Sequence, residues 1–203
     1  MNKTVNILIL VSGNGTNLQA LIDAQSRLGA GKIAAVLSDK SGVYAIERAR
    51  LAGIPAFVEV PDKKLPKEER RAELSKRILD ICRKQNIDLI IYAGFLSILQ
   101  GDIMEEFKGR MINIHPSLLP KFGGQGMYGE HVHRAVLAAG ETESGCTVHL
   151  VTAGIDAGPI LLQRKVPVPD GDTPGALAGR IHHEEHIAIV EAAAMMVQKI
   201  LDS

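Results

Sequence analysis

Two polar residues, Asn113 and His115, stand at the end of a short apolar segment and could perform acid–base chemistry. They are two positions apart in Gly-Arg-Met-Ile-Asn-Ile-His, so on a β-strand both side chains point to one face. Pro116 removes a backbone donor and restricts His115 to an extended conformation, which predicts that the strand ends there. Ligands bind at the carboxyl ends of strands in open parallel sheets. The pair is therefore a candidate catalytic pair, with a purely structural histidine as the alternative.

A carboxylate can be added to this pair from a later turn. Asp156 lies in Gly-Ile-Asp-Ala-Gly, residues 154–158, between two predicted strands, so it can be placed at the same sheet edge as His115. A carboxylate beside an imidazole raises the pKa of the imidazole and orients the ring. With the Asn113 amide, the three groups could stabilise an oxyanion and manage one proton. No residue has the surroundings of an activated nucleophile, Ser117 included, which favours direct transfer between two bound substrates.

A glycine-rich segment near the N-terminus could bind a phosphate group. Ser-Gly-Asn-Gly-Thr-Asn, residues 12–17, follows an apolar run and precedes apolar residues at helical spacing. Backbone amides at the start of a helix hold anions. The candidate residues are Gly13, Asn14, Gly15, Thr16 and Asn17. The lysine of a P-loop is missing, and Leu18 replaces the third glycine of a dinucleotide fingerprint, so a monophosphate fits better than a pyrophosphate. A tight turn that binds nothing is the alternative.

The segments that would position these residues alternate between strands and helices. Apolar runs predict strands at 5–11, 33–37, 55–60, 89–93 and 109–115. Helical spacing predicts helices at 43–52, 66–85 and 132–139, and one directly after 94–99. A last helix is predicted from about Asp172 to 201, with Thr173 or Asp172 as its cap and Pro174 near its first position. Strands at 146–151 and 160–166 are close enough for antiparallel pairing. The sequence thus predicts an α/β fold with a doubly wound, mostly parallel Rossmann-like sheet and antiparallel strands near the C-terminal part.

The composition is that of an ordinary globular protein, with 46% hydrophobic and 23% charged residues. Twenty-three basic residues balance twenty-three acidic ones, so no net charge would attract nucleic acid or an anionic membrane. The apolar run at 5–11 is too short to span a bilayer. Cys82 and Cys146 lack a metal-type spacing and suggest reduced thiols. We therefore expect a soluble cytoplasmic protein with no nucleic-acid or membrane partner; the oligomeric state stays open, a homodimer included.

The other histidines and the main charged run suggest no further catalytic centre. His182 and His186 are one helical turn apart, but their segment is not His-Glu-x-x-His and offers no evident third ligand, so no metal site is expected. The charged run at 63–71 is expected to be solvated surface, with Arg70 and Arg71 as candidate carboxylate binders.

Five segments together resemble the glycinamide ribonucleotide formyltransferases, which belong to the folate-dependent formyltransferases. They are Ser-Gly-Asn-Gly-Thr-Asn-Leu-Gln-Ala at 12–20, Ala-Gly-Phe-Leu at 93–96, Asn-Ile-His-Pro-Ser-Leu-Leu-Pro at 113–120, Gly-Cys-Thr-Val-His-Leu-Val at 145–151 and Ile-Asp-Ala-Gly-Pro-Ile at 155–160. The resemblance covers essentially the whole chain. Asn-x-His-Pro-Ser with a downstream Asp-x-Gly-Pro is specific for folate-dependent formyl transfer.

The resemblance implies transfer of a formyl group from the co-substrate 10-formyltetrahydrofolate to the amine of glycinamide ribonucleotide in purine synthesis. It implies that Asn113, His115 and Asp156 are catalytic, that the amides of residues 15–17 hold the phosphate, and that Glu185 contacts the glycinamide part. The implied folate contacts are Arg71, Leu96, Ser97, Ile98, Leu99, Ala153, Gly154 and Ile155. One formyltransferase domain is expected over 1–203, with a nucleotide-phosphate-binding half at 1–110 and a catalytic, folate-binding half at 111–203.

Two segments depart from the family pattern. Ser97 stands where many members carry an arginine, which affects one folate contact. The connection at 121–133 is longer than the usual Lys-Tyr-Pro-Gly and has four glycines in its first ten residues, which favours a loop that approaches something closely or moves.

The expected mechanism is attack of the glycinamide amine on the formyl carbon, with the oxyanion held by Asn113 and a protonated His115. Asp156 would keep His115 charged and help to move a proton to the folate N10. The alternatives are formyltetrahydrofolate hydrolase or another folate-dependent formyltransferase, such as the one that acts on methionyl-tRNA, whose extra domains we do not expect here. A nucleotide-binding dehydrogenase with Asp39 on a ribose, or a non-catalytic binding module, comes from another class.

Overall fold

Strands and helices alternate along the chain as the sequence predicts, in a computed structural model that describes residues 4–203. The strands are β1 (Val5–Val11), β2 (Gly31–Ser38), β3 (Ala56–Val58), β4 (Leu89–Tyr92), β5 (Met111–His115), β6 (Glu143–Leu150) and β7 (Ile160–Pro167). The helices are α1 (Thr16–Asp23), α2 (Tyr44–Leu51), α3 (Lys67–Lys84), α4 (Asp102–Glu106), α5 (Glu130–Ala138) and α6 (Pro174–Leu201), and a short 3₁₀ helix covers Gln25–Leu28.

The chain divides into two compact units, each with its own part of the sheet. The first unit runs up to Met111 and also contains Ala193–Ser203, and the second is Ile112–Ala192. The strand order of the seven-stranded sheet is β3-β2-β1-β4-β5-β6-β7. This confirms the predicted fold class, a mostly parallel α/β sheet with antiparallel strands toward the C-terminus. The assignment of the two halves to nucleotide and folate stays a prediction.

The first unit is built around β1, which is parallel to both β2 and β4. Every residue of β1 except Asn6 is fully buried, as expected for a central strand with a nearly continuous apolar run. The chain continues from β1 to β2 and β3 on one side and returns to β4 on the other. The carboxyl end of β1 is therefore a topological switch point of this sheet, where ligands bind in open α/β folds.

The second unit holds β5, β6 and β7 in antiparallel pairs. Helix α6 begins as the sequence predicts: Pro174 is its first residue, and the Thr173 hydroxyl accepts the N–H of Ala176 at 3.2 Å. Such a cap contributes about 1 kcal/mol because it satisfies an amide that has no partner inside the helix.

Two predicted elements differ from the observed ones. Strand β3 has three residues instead of six, and the helix expected directly after 94–99 starts at Asp102 and has only five residues. In the segment before it, side chains satisfy two amides: Leu96 N–H donates to Ser12 Oγ at 2.8 Å, and Gln100 N–H donates to Ser75 Oγ at 2.9 Å. Within residues 4–203, no helix has the length and apolarity needed to cross a membrane.

The turn that carries Asp156 depends on a glycine, and this dependence can be tested. A Cβ at Gly158 would lie 1.8 Å from the Leu150 carbonyl oxygen, so Gly158→Ala is expected to destabilise the protein by about 2–3 kcal/mol. The measurement is the free energy of unfolding from denaturant titration. Gly175→Ala is the control, because its Cβ meets nothing within 4 Å and alanine favours the helix. Equal stabilities of the two variants would contradict the tight fit at Gly158.

Candidate active site

Strand β5 ends in the two polar residues that the sequence singles out. Asn113 is half-buried and His115 is only 4% exposed. Antiparallel pairing places Asn113 opposite His149 and His115 opposite Thr147 on β6. Because directly opposed residues share one face of a sheet, β6 brings a second histidine beside Asn113.

The Asp156 carboxylate meets these side chains from the turn between β6 and β7. Its Oδ2 lies 3.5 Å from His115 Nδ1, and its Oδ1 lies 3.4 Å from Asn113 Nδ2 and 3.5 Å from His149 Nε2. These distances are long for hydrogen bonds, whereas the N–H of Gly124 donates to Oδ2 at an ordinary 3.0 Å. The structure therefore brings the predicted trio together within the second unit, with His149 and Gly124 in addition.

The orientation of His115 is set by a backbone carbonyl. Its Nε2 lies 2.8 Å from the carbonyl oxygen of Phe122. A carbonyl can only accept, so Nε2 carries the proton in the neutral ring. The opposite nitrogen, Nδ1, faces Asp156. The imidazole thus has an acceptor at each nitrogen.

The protonation state of the resting pair follows from burial and neighbouring charges. Burial lowers the pKa of His115 below its ordinary value of 6.5, and the opposing effects of Asp156 and the Phe122 carbonyl do not compensate. Asp156 thus acts in the predicted direction, but the charged imidazole of the expected mechanism is not the form that this arrangement favours. Burial raises the pKa of Asp156, but His149, His115 and the Gly124 N–H together hold that pKa below 3.8, so the carboxylate is an anion at neutral pH.

His149 also contacts Asn113 and Asp156, and it was not among the residues predicted for the site. Its Nδ1 lies 2.9 Å from the Leu150 carbonyl oxygen and must donate to it, so Nε2 of the neutral ring is an acceptor. Asn113 Nδ2 donates to that nitrogen at 3.1 Å. The available signal was His149 within the strand predicted at 146–151, but its place opposite Asn113 depends on the antiparallel pairing of β5 with β6, which the sequence did not predict.

The glycine-rich segment forms the turn between β1 and α1 in the first unit. Gly15 caps α1 in a left-handed conformation with φ +76°, and α1 has no side-chain cap at its N-terminus. A Cβ at Gly15 would lie 2.7 Å from Ala45 Cβ, so a glycine is required there for packing as well. Gly13 and Asn14 are exposed, while Thr16 is half-buried and Asn17 is buried. No side chain occupies the first amides of α1, and anion binding by them stays a prediction.

Arg48 of α2 lies against this turn and was not predicted. Its Nε donates to the Asn14 carbonyl oxygen at 2.8 Å, and its Nη1 donates to Gln19 Oε1 at 2.9 Å. The guanidinium also stacks over the Tyr44 ring, 4.7 Å from its centroid. A fixed cation beside a helix N-terminus strengthens the preference of the turn for an anion.

A basic cavity of about 190 Å³ in the first unit contains several of the predicted folate contacts. Its lining consists of Pro61, Lys67, Arg70, Arg71, Leu74, Leu96, Ser97 and Ile98. Three cations face an apolar wall, an arrangement that suits an anionic ligand with an apolar body. Leu99 is buried and does not line the cavity. The Ser97 hydroxyl donates to Asp39 Oδ2 at 2.6 Å, so this chain uses Ser97 to hold a buried carboxylate.

The remaining predicted contacts lie in the second unit. Ala153, Gly154 and Ile155 precede Asp156 in its turn and are exposed. Glu185 lies on α6 with only 5% exposure, and its Oε2 is 3.7 Å from His182 Nε2. Residues 4–203 contain no group of three or more His, Cys, Asp or Glu side chains arranged to hold a metal ion.

The opposing effects of burial and of the Asp156 carboxylate on the pKa of His115 can be tested by titration. NMR titration of the imidazole is expected to give a pKa below 6.5, because burial outweighs the carboxylate. Asp156→Asn should lower this pKa further, since it removes the anion that raises it. Replacement of the exposed Lys165 by Gln is the control and should leave the pKa unchanged. A higher pKa in Asp156→Asn would show that the carboxylate does not act on the ring.

Comparison with known proteins finds similar sequences and structures that match nearly the whole chain. A family profile described as formyl transferase matches residues 5–193. The phosphoribosylglycinamide formyltransferase of Escherichia coli strain K12 is 40% identical over 183 residues, which cover 90% of this chain and 82% of that protein. The crystal structure of glycinamide ribonucleotide transformylase 1 from Symbiobacterium toebii superposes with a TM-score of 0.86 at 40% identity, covering 97% of this chain and 89% of that one.

Longer proteins also contain a segment similar to this chain. The trifunctional purine biosynthetic protein adenosine-3 of Drosophila pseudoobscura pseudoobscura is 44% identical over 199 residues, 96% of this chain. The chain spans only 14% of the length of that relative. From the extent of the profile match and the identity to the Escherichia coli protein, the chain belongs to the formyl transferase family.

Proposed function

We propose that this protein transfers the formyl group of 10-formyltetrahydrofolate to the amine of glycinamide ribonucleotide, a step of de novo purine biosynthesis. The observation that carries the proposal is the cluster of Asn113, His115 and Asp156, with contacts of 3.4 and 3.5 Å to the carboxylate. Family membership and the names of the 40% identical relatives support the same reaction.

The chemistry of the cluster suits acyl transfer to an amine. The amine nitrogen attacks the formyl carbon, the bond between that carbon and N10 breaks, and one amine proton is delivered to N10, through water. Asn113 and the Nε2–H of His115 donate to the oxyanion that develops on the formyl oxygen. Asp156, an anion in the resting site, stabilises the positive charge on the attacking amine and assists the proton transfer.

Each of the two units is proposed to contribute its own substrate contacts. In the first unit, the amides of Gly13, Asn14, Gly15, Thr16 and Asn17 are proposed to hold the phosphate. Arg71 and the segment Leu96 to Leu99 are proposed as folate contacts, because the basic cavity combines cations with apolar side chains. In the second unit, Ala153, Gly154 and Ile155 are proposed to contact the folate and Glu185 the glycinamide part.

The cellular location and the oligomeric state of the protein are proposed as well. Cys82 and Cys146 are free and buried, which fits a reducing compartment, and we place the protein in the cytoplasm. A homodimer stays a prediction.

The reaction can be separated from hydrolysis by one assay. Release of tetrahydrofolate, followed by absorbance, is expected only when glycinamide ribonucleotide is present, together with the formylated product by mass spectrometry. Release that does not depend on the amine would instead identify a hydrolase. No release under either condition would leave a binding module.

Asn113→Ala and Asp156→Asn are each expected to lower turnover on the order of 100-fold at saturating substrates, because each loses a group that acts on developing charge. The measurement is steady-state kinetics of the variants, with Lys165→Gln as a folded control. Near-normal turnover of both variants would contradict the assigned roles.

A further inference from the structure

We propose that Arg48 of α2 is a positioning residue for phosphate recognition. It holds the peptide units of the glycine-rich turn, residues 13–17, so that their N–H groups are directed at the substrate phosphate. The inference rests on the proposed function, because it concerns how the proposed phosphate site is built. Every residue that it uses lies in the first unit.

Helix α2 contacts the glycine-rich turn at two carbonyl oxygens. Arg48 Nε donates to the Asn14 carbonyl oxygen at 2.8 Å, and the Ala45 N–H donates to the Gly13 carbonyl oxygen at 3.2 Å. Both donors belong to one helix, which begins at Tyr44. Two successive peptide units of the turn are therefore held by α2 at their oxygen atoms.

The carbonyl contacts determine where the amides of the turn point. In a trans peptide unit the C=O and N–H bonds are antiparallel, and these two units are trans. Because the carbonyl oxygens of Gly13 and Asn14 face α2, the N–H groups of Asn14 and Gly15 point away from that helix. Among residues 4–203, neither N–H donates to another group of the protein. Both donors are therefore available to an anion.

The turn needs such a support because its own residues rotate easily. Asn14 stands between Gly13 and Gly15, and a peptide unit beside a glycine has more accessible orientations than one between residues with side chains. A rotation of the unit that joins Asn14 to Gly15 would replace an N–H by a carbonyl oxygen, which repels a phosphate. The hydrogen bond from Arg48 to the Asn14 carbonyl oxygen opposes that rotation.

The Arg48 guanidinium is itself fixed, and its neighbours do not neutralise it. Its Nη1 donates to Gln19 Oε1 at 2.9 Å, and the group stacks over the Tyr44 ring at 4.7 Å from the centroid. All of its contacts in the described part of the chain are to uncharged groups, whereas Arg50 pairs with Glu47 at 2.6 Å. Arg48 thus places a positive charge behind the turn that remains available to a phosphate.

Gly15 permits α2 to lie this close to the turn. A Cβ at this position would lie 2.7 Å from Ala45 Cβ and 3.5 Å from Arg48 Cδ. The glycine therefore serves the approach of the helix as well as the left-handed backbone at φ +76°.

An unsatisfied polar atom in the first turn of α1 independently indicates a ligand. Asn17 is only 8% exposed, and its Oδ1 has no hydrogen-bond partner within residues 4–203. A buried acceptor without a donor is costly. A ribonucleotide brings hydroxyl donors together with its phosphate, so a bound molecule of this class would complete the turn.

Phosphate binding can be followed by NMR in the full chain. Inorganic phosphate should shift the amide signals of Asn14 and Gly15 in the unchanged protein. Arg48→Ala should weaken this binding about ten-fold, the factor expected for loss of a hydrogen bond from a charged group. The matched control is Arg50→Ala, because Arg50 lies on the same helix but is paired with Glu47, and it should bind phosphate normally.

A third variant separates orientation from charge. Arg48→Lys keeps the positive charge but lacks the planar group that donates from two fixed nitrogens, so it should recover at most part of the lost affinity. Full recovery would show that charge alone suffices and would overturn the positioning role. Unshifted turn amides in the unchanged protein, or equal affinity of Arg48→Ala, would overturn it as well.

Kinetics distinguish phosphate recognition from a general loss of structure. For glycinamide ribonucleotide, Arg48→Ala should raise KM about ten-fold and retain kcat. With the dephosphorylated ribonucleoside as substrate, kcat/KM should not change, because no phosphate is there to be recognised. An equal fall of kcat/KM for both substrates would mean that Arg48 only supports the fold, which contradicts the proposal.

The tests do not depend on a single variant. If Arg48→Ala does not fold, Arg48→Lys compared with Arg50→Ala decides, together with the phosphate titration of the unchanged protein. Failure of the proposed function is seen separately, as a lack of amine-dependent product from the unchanged protein, whereas the phosphate titration requires no reaction.

Discussion

The Asp156 carboxylate is the interaction on which the candidate active site depends. Four groups from three parts of the second unit converge on its two oxygens: Asn113, His115, His149 and the Gly124 N–H. Asp156 can reach them because its turn places it in the left-handed region, at φ +52°. A buried carboxylate is costly unless it is hydrogen-bonded, and two of these groups donate to Asp156: the Gly124 N–H at 3.0 Å and the Asn113 amide at 3.4 Å. The pKa of the carboxyl accordingly lies below its ordinary value. Removing the carboxylate would leave these two donors without their acceptor.

The protonation of His115 shows how burial and charge compete in this site. A carboxylate neighbour alone would favour imidazolium, but a ring that is 4% exposed loses hydration that the ion needs. The result is a neutral ring whose single proton points to Phe122. In the proposed reaction a neutral donor still suits an oxyanion, and the proton transfer falls to Asp156.

The anion site proposed in the first unit has a different physical basis. No side chain caps α1, so its first amides are available, and Gly15 gives the turn a conformation that other residues rarely adopt. Ser12 connects this turn to the segment after β4, because its hydroxyl accepts the Leu96 N–H and its own N–H donates to the Gly94 carbonyl oxygen. The glycine-rich turn and the segment that begins at Gly94 are thereby held together by two hydrogen bonds.

Local patterns determined much of this protein from its sequence alone. The apolar run of β1, the shared face of Asn113 and His115, and the Thr173 cap of α6 depend on neighbouring residues, and each is found as predicted. The tertiary structure decided the rest. The approach of His149 depends on the β5–β6 register, the contacts of Phe122 and Gly124 depend on the path of a loop, and the pKa of His115 depends on total burial. These quantities are set by residues distant along the chain, which no local pattern contains.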